Sequence, residues 1–400
     1  MRISAEIVFS KCIAVEIAIA SLIVISTALG YSSTVSLLFA LSFAIIFIMG
    51  GCTIKSFPLV ALTLGILSFT HVIFYGLKAD VVFSFDYFKR VIMFVSFILL
   101  LSFSAQYGVQ ISQKTLELIQ RMPLVAGIFL AASFFFLGNT HTWGGGGITL
   151  GFGNPNAAAM WLTHFVFYGI LFVMEIKTHK SHAIFIPLIG LLFYLLFKTR
   201  ARSSLLAIAV FVLLIVMRLL KIRIKNWMCA LFSCFPIIFV FIYLNVIMTE
   251  TIQKTLSFLV SEGKPLTARF FVWNTGLDII SEYPIFGNYI GLEEKIGFSH
   301  MHNTHLDVMC AYGAVPLLLF CYLLYVVLKR MAAEIESSYQ YAAFASFVSI
   351  IIMGTFEASI VSGSMGMNLL TTGFVVLALS SPSKENVRDS KNEYLLCKNM

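Results

Sequence analysis

Long apolar runs recur through almost the whole 400-residue chain, and each has about the length of a membrane-spanning helix. A helix that crosses a bilayer needs about 20 consecutive, mostly apolar residues. The composition agrees, because 59% of the residues are hydrophobic, only 12% are charged and the mean hydropathy is +0.93. A soluble domain carries about twice that charged fraction. The sequence therefore predicts an all-α polytopic membrane protein.

The apolar runs predict about twelve transmembrane helices. They lie near residues 12–30, 34–50, 57–76, 91–107, 122–138, 155–174, 183–198, 203–218, 228–247, 305–328, 340–357 and 366–381. The expected organisation is helices 1–9 within residues 1–247, a large loop with amphipathic helices at 248–304, helices 10–12 within 305–381, and a polar tail at 382–400.

The distribution of Lys and Arg predicts the orientation of these helices. With the N-terminus inside, 17 of the 27 basic residues fall on the cytoplasmic side. Cytoplasmic loops carry such an excess. Both termini are therefore expected in the cytoplasm, and the 248–304 loop on the outer face. The sequence contains no soluble module with a basic patch and aromatic residues, so it does not indicate nucleic-acid binding. The seven cysteines show neither metal-type spacing nor a disulfide framework.

Basic residues on the outer side run against this bias and are therefore informative. Arg200 and Arg202 lie in the segment KTRARSS, between two predicted helices with almost no loop. Together they could form an outward-facing anion site, although arginines at helix ends also commonly extend to the interface. A Gly-rich loop at 138–156 ends in Asn154-Pro155-Asn156. It could cap the next helix and present N–H groups to an anion, or it could be a flexible connection.

Another external arginine, Arg269, begins a segment with helical periodicity. The expected apolar face lies on the membrane surface and consists of Phe270, Phe271, Trp273, Leu277 and Ile280. Arginine stays charged and can contact phosphate oxygens through two N–H groups at once. Arg202 and Arg269 are therefore candidates for holding a phosphate-linked lipid.

Three histidines follow in the string SHMHNTH, namely His300, His302 and His305. A histidine near neutral pKa can accept a proton from a sugar hydroxyl. The spacing H-x-H-x-x-H also permits a metal site, but no external carboxylate motif completes it, so a base is favoured. His302 is the preferred base, His300 would support it, and His305 is expected to pack at the start of the next helix.

Four short blocks, in this order, resemble those of the O-antigen ligase/polymerase superfamily of bacterial membrane glycosyltransferases. Gly153–Trp161 (GNPNAAAMW) is similar to its NPN block, and Thr199–Ala207 (TRARSSLLA) to its T-x-S-R block, with Ala201 where serine is usual. Ala268–Gly287 resembles its R-x-x-x-W block and P-x-x-G turn, and His302–Gly313 its His-Asn-x9-Gly block. The HMHN form is similar to the lipopolysaccharide ligase branch.

The resemblance implies a GT-C-like glycosyltransferase with its site on the periplasmic face of the bacterial inner membrane. The donor would be a glycan on undecaprenyl diphosphate, and the acceptor lipid A-core (ligase) or a second lipid-linked repeat unit (polymerase). No metal or other cofactor is expected. The catalytic residues would be His302, Arg269 and Arg202. Further substrate contacts are expected from Arg200, His300, Asn303, Trp273 and Asn156. A lipid-linked glycan flippase or transporter is the alternative from another class, but the polar residues cluster at external ends rather than along an interior path.

Overall fold

The computed structural model describes residues 17, 63, 65–67, 85–108, 113–136, 146–175, 179–247, 267–288, 300–357 and 365–380. These residues are predominantly helical and contain no strand. The helices are, in chain order, α1 (Phe85–Tyr107), α2 (Gln113–Phe136), α3 (Pro155–Glu175), α4 (His179–Lys198), α5 (Arg202–Leu219), α6 (Asn226–Ile242), α7 (Thr267–Glu282), α8 (Thr304–Tyr312), α9 (Ala314–Ala333), α10 (Ser338–Met353) and α11 (Met365–Leu379). A π-helical turn, Tyr243–Ile247, continues α6.

Within the described part of the chain, five segments are long and apolar enough to cross a membrane. They are Lys114–Phe136, Pro155–Glu175, Arg202–Leu219, Asn226–Asn245 and Ala314–Ala333. The all-helical prediction is confirmed for the described residues. The count of twelve helices stays a prediction, because most of the first three predicted helices, the whole 248–266 segment and the tail lie outside the described residues.

The predicted helix at 305–328 is divided in the structure, because Gly313 separates α8 from α9. Gly313 has a φ of +94°, and a Cβ atom there would lie 1.9 Å from the carbonyl oxygen of Ile285. Only glycine tolerates this backbone and this approach. The next residue, Ala314, donates its N–H to the carbonyl of Pro284 at 2.9 Å. The turn after α7 therefore fills the break between α8 and α9.

Gly287 completes this contact from the other side. Its φ is +65°, and a Cβ atom would lie 2.5 Å from the carbonyl oxygen of Cys310. The same carbonyl accepts the N–H of Asn288 at 2.7 Å. The glycine of the P-x-x-G turn and the glycine that ends the His-Asn block thus lie in one interlocked junction, which joins α7 to α8.

The apolar face of α7 differs from its prediction. Trp273 is fully buried and packs against Phe239 of α6 and Tyr243 of the π-helical turn. It donates its indole N–H to the carbonyl of Met301 at 2.9 Å. Phe271, by contrast, is 62% exposed. An indole that buries this much area and finds an acceptor is stable inside the protein. The face containing Trp273 therefore packs against the protein and not on the membrane surface.

Helices α5 and α10 pack against each other in opposite directions. Near one end, Ser204 of α5 lies beside Met353 of α10, with Oγ and Sδ 3.6 Å apart. Near the other end, Tyr341 of α10 donates its hydroxyl to the carbonyl of Leu214 at 2.9 Å. The pair therefore connects Arg202 with the end of α10, and the end of α5 with the start of α10.

Candidate active site

A buried carboxylate, Glu357, lies at the centre of the predicted site. Its Oε1 accepts the side-chain N–H of Asn156 at 2.7 Å and faces Arg269 Nη2 at 3.3 Å. Its Oε2 faces His302 Nδ1 at 3.5 Å, and the side chain is only 5% exposed. Buried carboxylates are stable when such partners surround them. One side chain thus joins three of the four family-like blocks, and its most distant partner, Asn156, is 201 positions away from it in sequence.

Hydrogen bonds hold the turn that carries Glu357 against the start of α8. Thr304 donates its N–H to Gly354 at 2.8 Å and its hydroxyl to the carbonyl of Glu357 at 3.3 Å. Asn303 donates its side-chain amide to the carbonyl of Thr355 at 3.0 Å. A Cβ atom on Gly354 would lie 2.8 Å from the Thr304 hydroxyl. These hydrogen bonds to backbone carbonyls therefore fix the position of Glu357 relative to His302, the residue before Asn303.

His302 occupies that position, with a left-handed backbone at a φ of +52°. Residues other than glycine adopt this conformation rarely, and such strain is retained mainly at functional sites. A carboxylate can only accept a hydrogen bond, so Nδ1 is the nitrogen that carries the proton toward Glu357. In a neutral ring Nε2 is then the unprotonated nitrogen. This is the tautomer that a general base requires, with a carboxylate that orients the ring.

Arg269 lies on the other side of Glu357. Its guanidinium also stacks on the ring of Phe356, 5.2 Å from the ring centre, and its side chain is 34% exposed. Burial lowers the pKa of Arg269 below its usual value, Glu357 and Tyr243 raise it, and the positive charge of Arg202 lowers it again. Arginine remains protonated in proteins. The charge of Arg202 therefore acts on Arg269.

Arg202 is the first residue of α5 and is exposed. Arg200, just before it, has a φ of +58° and lies against Gly146, where a Cβ atom would be 3.1 Å from its Nη1. At Gly147 a Cβ atom would lie 2.3 Å from the carbonyl of Thr199. The end of the Gly-rich loop therefore packs directly on the turn that carries both arginines, and the glycines permit that approach.

His300 lies beside His302, with ring centres 4.3 Å apart. A ring nitrogen of each histidine and a carboxylate oxygen of Glu357 fall within 4.8 Å of one another, which is a spacing that could hold a metal ion. Arg269 already contacts the same carboxylate oxygen as Asn156, and its charge, with that of Arg202, repels a divalent cation. The absence of a metal at this set therefore stays a prediction.

Three other residues of the predicted cluster are buried. Asn303 is fully buried and caps α8, accepting the N–H of Leu306 at 2.9 Å, while its amide also donates to Pro236. Trp273 belongs to the core described above. His305 is fully buried, and its Nε2 donates to the carbonyl of Ser233 at 2.6 Å. Asn303 and Trp273 therefore also have structural positions, and their substrate contacts stay predictions. His305 packs as expected at the start of α8.

Glu357 is the residue that the motifs did not identify. Its sequence signal is a carboxylate at the end of a long apolar run, and such residues in membrane segments are commonly functional. Its partners, however, come from three distant segments. The sequence therefore marks the residue as unusual but does not connect it with Asn156, Arg269 or His302.

A search of curated proteins found no match to the chain. Residues 187–321 match a protein family described as O-antigen ligase. This confirms the resemblance to that superfamily over about a third of the chain. The matched region contains Arg202, Arg269 and His302, whereas Asn156 and Glu357 lie outside it.

Proposed function

We propose that this chain, whose residues 187–321 match the O-antigen ligase family, is an O-antigen ligase. It would transfer a polysaccharide from undecaprenyl diphosphate to the lipid A-core of lipopolysaccharide. The observation that carries the proposal is the convergence of Arg269, His302 and Asn156 on Glu357, with the charge of Arg202 acting on Arg269. This arrangement combines a phosphate-binding side and a basic side in one site.

In the proposed reaction, the guanidiniums of Arg202 and Arg269 hold the diphosphate of the donor. The Nε2 of His302 takes the proton of the acceptor hydroxyl. The hydroxyl oxygen then forms the new glycosidic bond as the bond between the sugar and the diphosphate breaks, and undecaprenyl diphosphate leaves. Negative charge develops on that leaving group, and fixed positive groups stabilise such charge strongly in a site with little water. No metal or other cofactor takes part in this scheme.

Glu357 acts in this scheme as a positioning residue. It holds Arg269 through Oε1 and His302 through Oε2, so the group that binds the leaving diphosphate and the group that activates the acceptor are fixed relative to each other. Precise orientation of reacting groups lowers a barrier substantially. Asn156 would place Glu357 itself, since it donates to Oε1 from the start of α3.

The site is proposed to face the periplasm of the bacterial inner membrane, with both chain termini in the cytoplasm. Arg202 and Arg218 lie at opposite ends of α5, which agrees with the division of basic residues between the two sides. Reporter fusions after Lys264 and after Lys225 should then report opposite compartments. If both reporters are found in the cytoplasm, the proposed site is on the wrong side.

Purified protein with a lipid-linked glycan donor tests the reaction itself. We expect transfer to lipid A-core, a large loss in Glu357→Gln, and partial recovery in Glu357→Asp, which restores the charge. Lys225→Gln, an exposed residue just before α6 and outside the proposed site, serves as the matched control with full activity. Product formed only on a second lipid-linked repeat unit would assign the polymerase reaction instead. Full activity in Glu357→Gln would contradict the role given to the carboxylate.

A further inference from the structure

The opposite end of the α5–α10 pair contains a basic cavity of about 630 Å³. It lies between the end of α5, the segment that follows it, the end of α9 and the start of α10. Its lining includes three cations, Arg218, Lys221 and Arg223, and the polar side chains of Ser338 and Tyr341. Among the described residues that line it, none is acidic. The neighbouring Glu334 and Glu336 are exposed and lie outside the lining.

Two of these cations are held in place by local structure. Arg218 stacks on the ring of Tyr341, 5.4 Å from the ring centre, and this ring is fixed by its own hydrogen bond to Leu214. Lys221 has a φ of +57°. It ends α5 in a Schellman motif, in which its N–H donates to Arg218 at 3.0 Å and the N–H of Ile222 donates to Met217 at 2.9 Å.

The position of Lys221 in that motif is usually occupied by glycine, because side chains disfavour a left-handed backbone. A lysine there carries conformational strain that glycine would remove. Strain of this kind clusters at functional positions. The conformation of Lys221 is therefore a reason to test this cavity for a ligand.

The surroundings of the cavity are apolar and exposed. Leu219 is 74% exposed and Leu220 67%, and nearby Trp227 is 61% exposed. Exposed aliphatic side chains next to a tryptophan are typical of the level where lipid headgroups meet acyl chains. A soluble anion would use the cations alone, whereas a lipid would use both surfaces.

We propose that this cavity binds the phosphate headgroup of an anionic phospholipid, with the acyl chains lying along the exposed aliphatic side chains. Basic pockets between membrane helices are suited to such headgroups. The site lies at the end of α5 opposite Arg202. It is distinct from the proposed active site, and the proposal does not depend on the transfer reaction.

The test measures binding of fluorescent phosphatidylglycerol to the full-length protein in neutral detergent, with phosphatidylcholine as the neutral comparison. Each Lys or Arg near an anionic surface strengthens binding roughly fivefold. Arg218→Gln/Arg223→Gln should therefore weaken phosphatidylglycerol binding roughly 30-fold. The matched control Lys225→Gln/Lys329→Gln removes two exposed charges outside the cavity, and should change binding much less.

Lys221→Gly separates binding from folding. We expect it to raise thermal stability, because glycine relieves the left-handed strain, and yet to weaken lipid binding. An equal loss of binding in the two double variants would overturn the proposal, since only total charge would then matter. Displacement of the lipid by inorganic phosphate alone would also overturn it, because the ligand would then be a free anion. Lipid binding that is unchanged both in Lys221→Gly and in the separate variant Arg218→Gln/Arg223→Gln would overturn it as well.

Discussion

The two ends of the α5–α10 pair start from similar chemistry and differ in one respect. Each has a basic residue in a left-handed backbone beside a helix terminus, Arg200 at one end and Lys221 at the other, with φ values of +58° and +57°. The end that holds Arg202 also contains the buried carboxylate Glu357 and His302. The other end has cations without an acidic residue among the described lining. Cations alone bind an anion, whereas a carboxylate that orients them beside a base can support a reaction.

Removing the proposed base, His302, is expected to lower the rate of glycan transfer more than any other change at the end that holds Arg202. His302→Asn keeps a residue type that tolerates the left-handed backbone, but it lacks an imidazole. General bases contribute about 10²- to 10⁴-fold in rate, so transfer to lipid A-core should fall by about that factor with little loss of protein. Rates of glycan transfer at saturating donor measure this, with Lys225→Gln as the active control. Transfer at the wild-type rate in His302→Asn would move the base to another residue.

The arginines are expected to have the next largest effect. Removing one group that stabilises developing charge typically costs about 10²- to 10³-fold in rate, and Arg269→Gln should lose about that much. Arg269→Lys keeps the charge but not the two-pronged contact with phosphate, so it should recover only part of the activity. Steady-state kinetics against donor concentration separate binding from turnover. Equal activity of the Lys and Gln variants would show that charge at this position does not matter.

Stability should respond at the glycine junction more strongly than elsewhere on the helices. Gly313→Ala forces a Cβ atom against the carbonyl of Ile285 at a φ of +94°, and should cost about 2–5 kcal/mol of unfolding free energy. Gly190→Ala is the matched control, because a Cβ atom there meets nothing within 4 Å. It lies inside α4, so alanine should stabilise by about 0.5–1 kcal/mol. Thermal unfolding in detergent compares the two, and similar shifts would contradict the interlocked geometry.

The smallest expected effect is that of a chelator. His300, His302 and Glu357 are close enough to hold a metal ion, but the neighbouring guanidiniums disfavour a cation there. Treatment of the purified protein with a chelator should therefore leave transfer unchanged, in the same assay that detects the His302→Asn defect. A loss of activity that added divalent metal restores would replace the base with a metal centre.

Much of the architecture could be read from the sequence, since periodic apolar runs reveal helices directly. The start of α3 and the ends of α4 and α5 lie close to their predicted positions. The division between α8 and α9 was not predicted, because an apolar run does not indicate where the helix backbone must pack against the carbonyl of Ile285. That constraint arises only from tertiary contact.

The site was predictable in part for a similar reason. Arg202, Arg269 and His302 stand in recognisable local patterns, and the structure brings them to one region. Asn303 and Trp273 stand in the same patterns but are fully buried, since a helix cap and a core aromatic use the same residue types as a binding site. Glu357 is marked in the sequence only as a carboxylate at the end of an apolar run, because its partners are set by the fold.

The length of α5 has a consequence for the lipid around the protein. Its two terminal arginines, Arg202 and Arg218, are sixteen residues apart, which spans only about 24 Å at 1.5 Å per residue. A typical hydrocarbon layer is about 30 Å thick. Such a mismatch draws the bilayer thinner around a short helix. In the proposed function, a thinned membrane would place Arg202 at the depth of a lipid phosphate, where the lipid-linked donor would reach it without leaving its leaflet.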